Sequence, residues 1–187
     1  MKILPWFPPA LTPCGISILD LPPDDFELQS KLDGARALVH DGQVFTRHGT
    51  LLSKAKGSER CLAACSTLPR HITLEGEWCS HESFLWCFNL PDHEGTHDER
   101  IEDLICLISH LGPRDGTNVG LIHRCIDCSF REFYDGWKAS GVAEGVVAKR
   151  RSGLYRKMAR PGMKSSDLFK RRFKRFEVDN RDHTRGR

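Results

Sequence analysis

The chain has 187 residues, 39% hydrophobic and 28% charged, a composition typical of a globular domain that excludes a collagen, a coiled coil and a wholly disordered protein. Its 28 Lys and Arg nearly balance its 25 Asp and Glu, but residues 149–187 hold 15 of the basic and 4 of the acidic residues. An acidic body therefore precedes a strongly basic end, which indicates a polyanionic partner.

The sequence contains no stretch of roughly 20 apolar residues such as a membrane helix needs. Its most apolar helical window, residues 101–111, is interrupted by charges, and the first five residues lack an apolar run of signal-peptide length. We therefore expect no membrane segment and a cytoplasmic or nucleoplasmic protein.

The elements predicted in chain order indicate an α+β fold. Most of the ten prolines lie in residues 1–25, which predicts an extended arm laid over the domain, because proline cannot donate to a sheet ladder. Strands are predicted at 26–30, 35–40 and 43–47, with a hairpin turn at Asp41-Gly42. Further strands are predicted at 72–78, 83–90, 119–125 and 145–149, and helices at 58–65, 98–111 and 130–139. A block of alternating basic and aromatic residues at 168–178 ends a domain spanning 26–178, and 179–187 are expected to form a basic, disordered tail.

Two cysteine pairs have spacings that zinc sites use. Cys61-x3-Cys65 and Cys125-x2-Cys128 could together supply four ligands. The alternative is that these are buried or incidental thiols, as small sulfur side chains at i and i+4 of a helix often fill core space. We favour the alternative for both pairs.

Three charged segments have the composition of a metal-nucleotide site. Residues 31–36 place a lysine beside a glycine turn, with an arginine five positions later. Residues 74–78 supply two carboxylates beside a glycine. Residues 144–149 begin with Glu144 and end with Lys149. Cations hold phosphates and carboxylates hold Mg²⁺. Any one of the segments could be a solvated surface, but all three in this order favour a site. Glu144 and Lys149 would face opposite sides of a strand unless a bulge intervenes.

The order of the segments resembles the covalent nucleotidyltransferase superfamily of ATP-dependent DNA ligases, RNA ligases and mRNA capping enzymes. Residues 31–36 resemble its KxDGxR motif, residues 74–78 the motif around D/E-G-E, and residues 143–149 EGxVxK. Residues 46–49, 85–89 and 162–172 resemble the Arg-containing turn, the strand of the adenine-stacking aromatic and the closing basic motif. Residues 8–11 and the Tyr155-Arg156 step favour bacterial repair-type DNA ligases within the superfamily.

The resemblance implies the ligase adenylation-domain fold, with antiparallel sheets flanked by helices around an ATP cleft, and a role for each matching residue. Lys31 would attack ATP and become lysyl-AMP, with ATP and Mg²⁺ as cofactors. Glu77 and Glu144 would bind the metal, and Phe88 would stack on adenine. Further contacts to ATP would come from Gln29, Leu32, Arg36, Arg47, Glu77, Lys149, Lys164, Lys170 and Arg172.

The chain departs from the family pattern at several of these positions. Gln29 stands where these ligases usually have Glu, and Asn89 follows the stacking aromatic where an acidic residue is usual. Lys164 replaces an Arg, Leu168 replaces a Trp, and Arg172 replaces a Lys while keeping the positive charge.

Ligases of this superfamily ordinarily continue into an OB-fold domain, for which we expect no room after the last motif of this chain. We therefore expect the domain to adenylylate slowly, to rely on a helper protein, or to use its own basic end instead. Lys174 and Arg175, interleaved with phenylalanines, suit nicked or broken DNA, or RNA, through phosphate contacts and base stacking. An RNA ligase, a capping-type guanylyltransferase and a non-catalytic nucleic-acid-binding domain are the alternatives to a DNA ligase.

Overall fold

The computed structural model of the chain describes residues 10–13, 17–52, 57–112, 114–155 and 164–173. These residues form two compact units, each with one β-sheet. The five-stranded unit takes its described residues from 34–122 and 152–155, and the four-stranded unit from 10–33, 123–151 and 164–173. No helix of the described residues is long and apolar enough to cross a membrane.

The five-stranded unit contains most of the helices. Its strands are β3 (Ala35–His40), β4 (Gln43–Thr46), β5 (Thr73–Cys79), β6 (Phe84–Asn89) and β7 (Val119–Leu121), and its helices are α1 (Glu59–Ser66), α2 (His97–His110) and α3 (Arg114–Thr117). The sheet order is β4-β3-β5-β6-β7, with only β6 and β7 parallel.

Period-2 alternation gives this sheet one apolar and one polar face. On the apolar face, Ala37, Gly76 and Cys87 are in register. This face belongs to a buried core that also contains residues of α1 and α2, and its other sheet members are Val39, Leu74, Trp78 and Leu85. On the other face, Arg36 lies opposite Glu77, and Leu38 opposite Glu75. The sheet thus has a core on one side and a row of charged residues on the other.

The four-stranded unit contains β1 (Ala10–Pro13), β2 (Phe26–Leu32), β8 (Ala143–Arg150) and β9 (Lys164–Arg172), together with α4 (Phe130–Ser140) and a single-turn 3₁₀ helix at Ile18–Asp20. The order is β1-β9-β8-β2, with β1 parallel to β9 and the other pairs antiparallel. Helix α4 packs against β2 and β8. Its N-terminus has a reciprocal capping box of Ser129 and Glu132, and Gly141 ends it at φ +73°.

Most predicted elements are confirmed within one or two residues. The Asp41-Gly42 hairpin has φ of +49° and +69° at its two central residues, as a primed turn requires. The predicted strand at 119–125 is wrong in its second half, because β7 ends at Leu121 and Arg124 makes only an isolated bridge to Gln29. The predicted arm contains β1. Residues 1–9 and 14–16 of the arm, and the predicted tail at 179–187, lie outside the described residues.

The two cysteine pairs occupy different units. Cys61 and Cys65 are fully buried in the core of the five-stranded unit, with Sγ atoms 4.0 Å apart. Their mutual hydrogen bond and their burial raise the pKa of Cys65, so it stays a neutral thiol. Among the described residues, no group of three or more His, Cys, Asp or Glu side chains is placed to hold a metal ion.

Gly145 allows β8 and β9 to approach closely. A Cβ built on it would lie 2.9 Å from the Cα of Arg172 and closer still to the carbonyl oxygen of Arg171. We expect Gly145→Ala to cost about 2–3 kcal/mol of unfolding free energy in urea denaturation, because backbone atoms must shift. In the same unit, Gly136→Ala on α4 meets nothing within 4 Å and should stabilise by about 0.5–1 kcal/mol. Equal effects of the two substitutions would contradict this account.

Candidate active site

Lys31 lies near the end of β2 in a row that crosses three strands. Gly145 of β8 is opposite Lys31, and Arg172 of β9 is opposite Gly145. Directly opposed residues of an antiparallel pair share a face, so the side chains of Lys31 and Arg172 flank a position that has no side chain. Gly145 therefore lies between two positions that carry cations.

A β-bulge brings Glu144 to these cations. Lys31 pairs with Gly145 but Leu32 pairs with Ala143, so Glu144 is the extra residue on β8. Its carboxylate forms an ion pair with Lys31 Nζ and lies 3.7 Å from Arg172 Nη2. The bulge resolves the strand-parity problem of the sequence, because Glu144 reaches the row of Lys31 and Arg172.

The next rows along the same face carry the other predicted residues of this unit. Gln29, Val147 and Lys170 form one row, and Glu27, Lys149 and Leu168 form the row beyond it. Partial burial, and then the nearby charge of Arg172, lower the pKa of Lys170. One sheet face thus collects Lys31, Lys149, Lys170 and Arg172. Leu32 is buried, and strand alternation directs its side chain to the opposite face.

Arg172 has an unused donor within this face. Among the described residues, only Ser30 Oγ and Arg172 Nε are buried side-chain polar atoms with no hydrogen-bond partner. A buried donor without an acceptor costs free energy, and an anion beside it would remove that cost. This row therefore has the chemistry of an anion site.

Gln29 is held in one orientation by two residues that the sequence analysis missed. Its Nε2 donates to Glu27 Oε2 at 3.2 Å, and Glu27 forms an ion pair with Arg124. A carboxylate only accepts hydrogen bonds, so the amide nitrogen must point to Glu27 and the amide oxygen is turned elsewhere. The period-2 spacing of residues 27, 29 and 31 could have identified Glu27, whereas nothing in the sequence marks Arg124.

The five-stranded unit contains a second charged network, built on Arg36. Arg36 forms an ion pair with Glu75 and donates to the hydroxyl of Tyr155 at 3.0 Å. Glu75 is only 1% exposed and also accepts a hydrogen bond from Asn89 Nδ2 at 3.0 Å. Glu75 is therefore buried within a network and does not pair with a surface cation.

Arg100 of α2 continues this network. Its Nε donates to Asn89 Oδ1 at 3.0 Å, and its guanidinium also donates to the carbonyl oxygens of Gly95 and Gly153. Burial lowers the pKa of both Arg36 and Arg100, although both retain their charge at neutral pH. Asn89 thus joins an acceptor, Glu75, to a donor, Arg100, which an aspartate in its place could not do.

Three other predicted residues of this unit lie on separate elements. Glu77 of β5 is opposite Arg36, and Phe88 of β6 is the extra residue of a bulge and is half-buried. Arg47 is exposed in the turn after β4, where its Nε donates to His48 at 2.9 Å. The structure therefore does not bring Arg47 into the Arg36 network.

Some predicted residues cannot be placed. Lys164 begins β9, but only its backbone is described, and Lys174 and Arg175 lie outside the described residues. The sequence analysis missed Arg100, although its position in α2 indicated that it would be buried. It occupies a position four residues before Leu104, on the stripe that α2 buries.

The carboxylate of Glu144 suits Mg²⁺ in one respect. Mg²⁺ at nucleotide sites is bound by one or two carboxylates plus substrate phosphates, so it needs no complete protein cage. Glu144, beside the unused donor of Arg172, has the donor chemistry for a Mg²⁺ that arrives with a phosphate chain.

Comparison with known proteins gives a result only for solved structures, because no protein-family model and no curated protein matches the chain. A Lig E DNA ligase, described as binding DNA with a minimal scaffold, is 17% identical, with a TM-score of 0.64 over 89% of this chain and 68% of its own. Mycobacterial DNA ligase D complexed with ATP is 18% identical, with a TM-score of 0.64 over 89% of this chain and 60% of its own.

Chlorella virus DNA ligase-adenylate is 15% identical, with a TM-score of 0.62 over 89% of this chain and 68% of its own. The chain has the nucleotidyltransferase fold of ATP-dependent DNA ligases. The predicted fold is thereby confirmed, and the chain spans between three fifths and about two thirds of the length of these ligases. At these identities the likeness concerns the fold alone.

Proposed function

We propose that the chain is an ATP-dependent DNA ligase-like adenylyltransferase with Lys31 as its nucleophile. The observation that carries the proposal is the row of Lys31, bulged Glu144 and Arg172 around Gly145, on a DNA ligase fold. A lysine, a carboxylate and a guanidinium with an unused donor are the groups that nucleotidyl transfer needs at one phosphate.

In the first step, Lys31 Nζ attacks the α-phosphorus of ATP. A P–N bond forms, the bond from the α-phosphorus to the bridging oxygen breaks, and pyrophosphate leaves. Lysine must lose a proton to attack, and the paired Glu144 favours the charged, unreactive ammonium form. Glu144 must therefore release Lys31 when the triphosphate binds.

Cations on the same sheet face would stabilise this step. Lys170, Arg172 and Lys149 would lie against the phosphates, where fixed positive charge offsets the charge that develops in the transition state. Mg²⁺, when bound, supplies charge neutralisation of the phosphate oxygens, with Glu144 and Glu77 as its proposed ligands. Lys164 is proposed as a further phosphate contact.

Gln29 is proposed to select adenine. Because its amide nitrogen is engaged by Glu27, its amide oxygen is presented as a hydrogen-bond acceptor. Adenine carries an amino group at the position where guanine carries a carbonyl oxygen, so an acceptor favours adenine. In the five-stranded unit, Arg36 and Arg47 are proposed to contact ribose or phosphate, and Phe88 to stack on the base.

The lysyl-AMP would pass its AMP to a nucleic acid. A 5′-phosphate oxygen attacks the AMP phosphorus and frees Lys31, and a 3′-hydroxyl then attacks the activated 5′-phosphate and expels AMP. We propose nicked or broken DNA in the cytoplasm, in repair or recombination, as the substrate, with Lys174 and Arg175 contacting its backbone. A helper protein that supplies an OB-fold function is part of this proposal.

Two selectivities distinguish the proposal from its alternatives: the nucleotide that labels the protein, and the nucleic acid that receives the label. We expect label from α-³²P-ATP with Mg²⁺ to enter the protein, α-³²P-GTP to leave it unlabelled, and the label to pass to nicked DNA more readily than to nicked RNA. Labelling by GTP would indicate a guanylyltransferase, and preferential transfer to RNA an RNA ligase. Nucleic-acid binding without any label would overturn the enzymatic proposal.

A further inference from the structure

Two cysteines of the four-stranded unit lie in contact just before α4. Cys125 Sγ is 3.5 Å from Cys128 Sγ and 3.1 Å from the carbonyl oxygen of Cys128. Cys125 is buried, whereas Cys128 is exposed. A small rotation about the side-chain bonds would therefore bring the two sulfur atoms to disulfide bonding distance. Solvent reaches the Cys128 side chain.

The pair belongs to a segment that covers the outer edge of β2. The amide of Cys125 donates to the carbonyl oxygen of Leu28 at 2.8 Å, and the amide of Ser30 donates to that of His123 at 3.0 Å. Between these two bonds, Arg124 forms the ion pair with Glu27. The segment thus pairs with the strand that bears Lys31.

We propose that Cys125 and Cys128 form a reversible disulfide, a modification site on the edge of the Lys31 strand, with hydrogen peroxide as the oxidant. The Cys128 sulfur attacks a peroxide oxygen, the O–O bond breaks, and water leaves as Cys128 becomes a sulfenic acid. The Cys125 sulfur then attacks the Cys128 sulfur, the S–S bond forms, the S–O bond breaks, and the Cys125 proton leaves with hydroxide as a second water. An external dithiol reverses the reaction by thiol–disulfide exchange.

Accessibility decides the order of these steps. Burial, and then the hydrogen bond with Cys128, raise the pKa of Cys125 to about 12, so at neutral pH Cys125 stays a protected thiol. Cys128 is the partner that the oxidant can reach. The buried pair Cys61 and Cys65 has a similar separation but no exposed sulfur, which makes it an internal control.

The experiment treats the full chain with hydrogen peroxide, alkylates the remaining thiols and maps them by peptide mass spectrometry. We expect alkylation to be lost at positions 125 and 128 together, with a disulfide-linked peptide about 2 Da lighter than the dithiol. Dithiothreitol should restore both sites, and Cys61 and Cys65 should not respond. A Cys128 that oxidises to sulfinic acid while Cys125 remains alkylatable would overturn the proposal.

Variants and hydrogen exchange separate this inference from general oxidation. Cys128→Ser should abolish the linked peptide, whereas Cys106→Ser, which removes an exposed cysteine of α2, should leave it unchanged. The disulfide should slow amide exchange at Ser30 and Cys125, because a cross-link restrains opening of the covering segment. Unchanged exchange would show that the bond does not act on β2. None of these readouts requires adenylyltransferase activity.

Discussion

Lys31→Arg should reduce formation of the labelled protein by about 10³-fold or more, to background, because no other group can form the phosphoramidate at that position. The arginine keeps a positive charge beside Glu144, so the sheet should remain folded. The measurement is incorporation of label from α-³²P-ATP into purified protein, with circular dichroism to verify folding.

The matched control is Lys138→Arg, which makes the same chemical change on the exposed surface of α4 in the same unit. This variant should label like the unchanged protein. If Lys31→Arg retained full labelling, the nucleophile would be wrongly assigned.

Glu75→Ala should destabilise the protein by about 3–5 kcal/mol, the cost of leaving a buried charge without its partner. Arg36 would lose its carboxylate, and Asn89 would lose the acceptor for its amide. Urea denaturation followed by tryptophan fluorescence measures the effect. Glu102→Ala, at an exposed carboxylate of α2, should change stability by no more than about 0.5 kcal/mol.

Asn89→Asp gives a second test of the same network. The change keeps the acceptor for Arg100 but removes the donor to Glu75 and places a second carboxylate against it. We expect a loss of about 1–3 kcal/mol of unfolding free energy in urea denaturation at neutral pH. A fully neutral substitution would mean that the Asn89 amide does not hold Glu75.

Local patterns in the sequence were sufficient to predict most of the fold. The Asp41-Gly42 turn, the apolar stripe of α2 and the alternation of β3 are short-range signals, and the structure has these elements where the patterns place them. Pairings between distant segments leave no such signal. The parallel pairing of β1 with β9 and the covering of β2 by residues 123–125 were accordingly missed.

The sequence was sufficient to propose the residues of the candidate site, but only partly sufficient to predict how they are arranged. Lys31, Glu144 and Arg172 were expected, yet their meeting depends on a bulge that strand periodicity alone could not locate. Buried polar residues that pair with one another were harder still to predict from the sequence. Glu27, Asn89 and Arg100 are charged or polar residues that a sequence suggests are solvated, and only the structure pairs them.

The most direct test is to identify the residue that carries AMP. The protein would be incubated with ATP and Mg²⁺, digested under conditions that preserve phosphoramidates, and mapped by tandem mass spectrometry. We expect one adenylylated peptide, with AMP on the side-chain nitrogen of Lys31. Folded protein with no adduct, or AMP carried by another lysine, would contradict it.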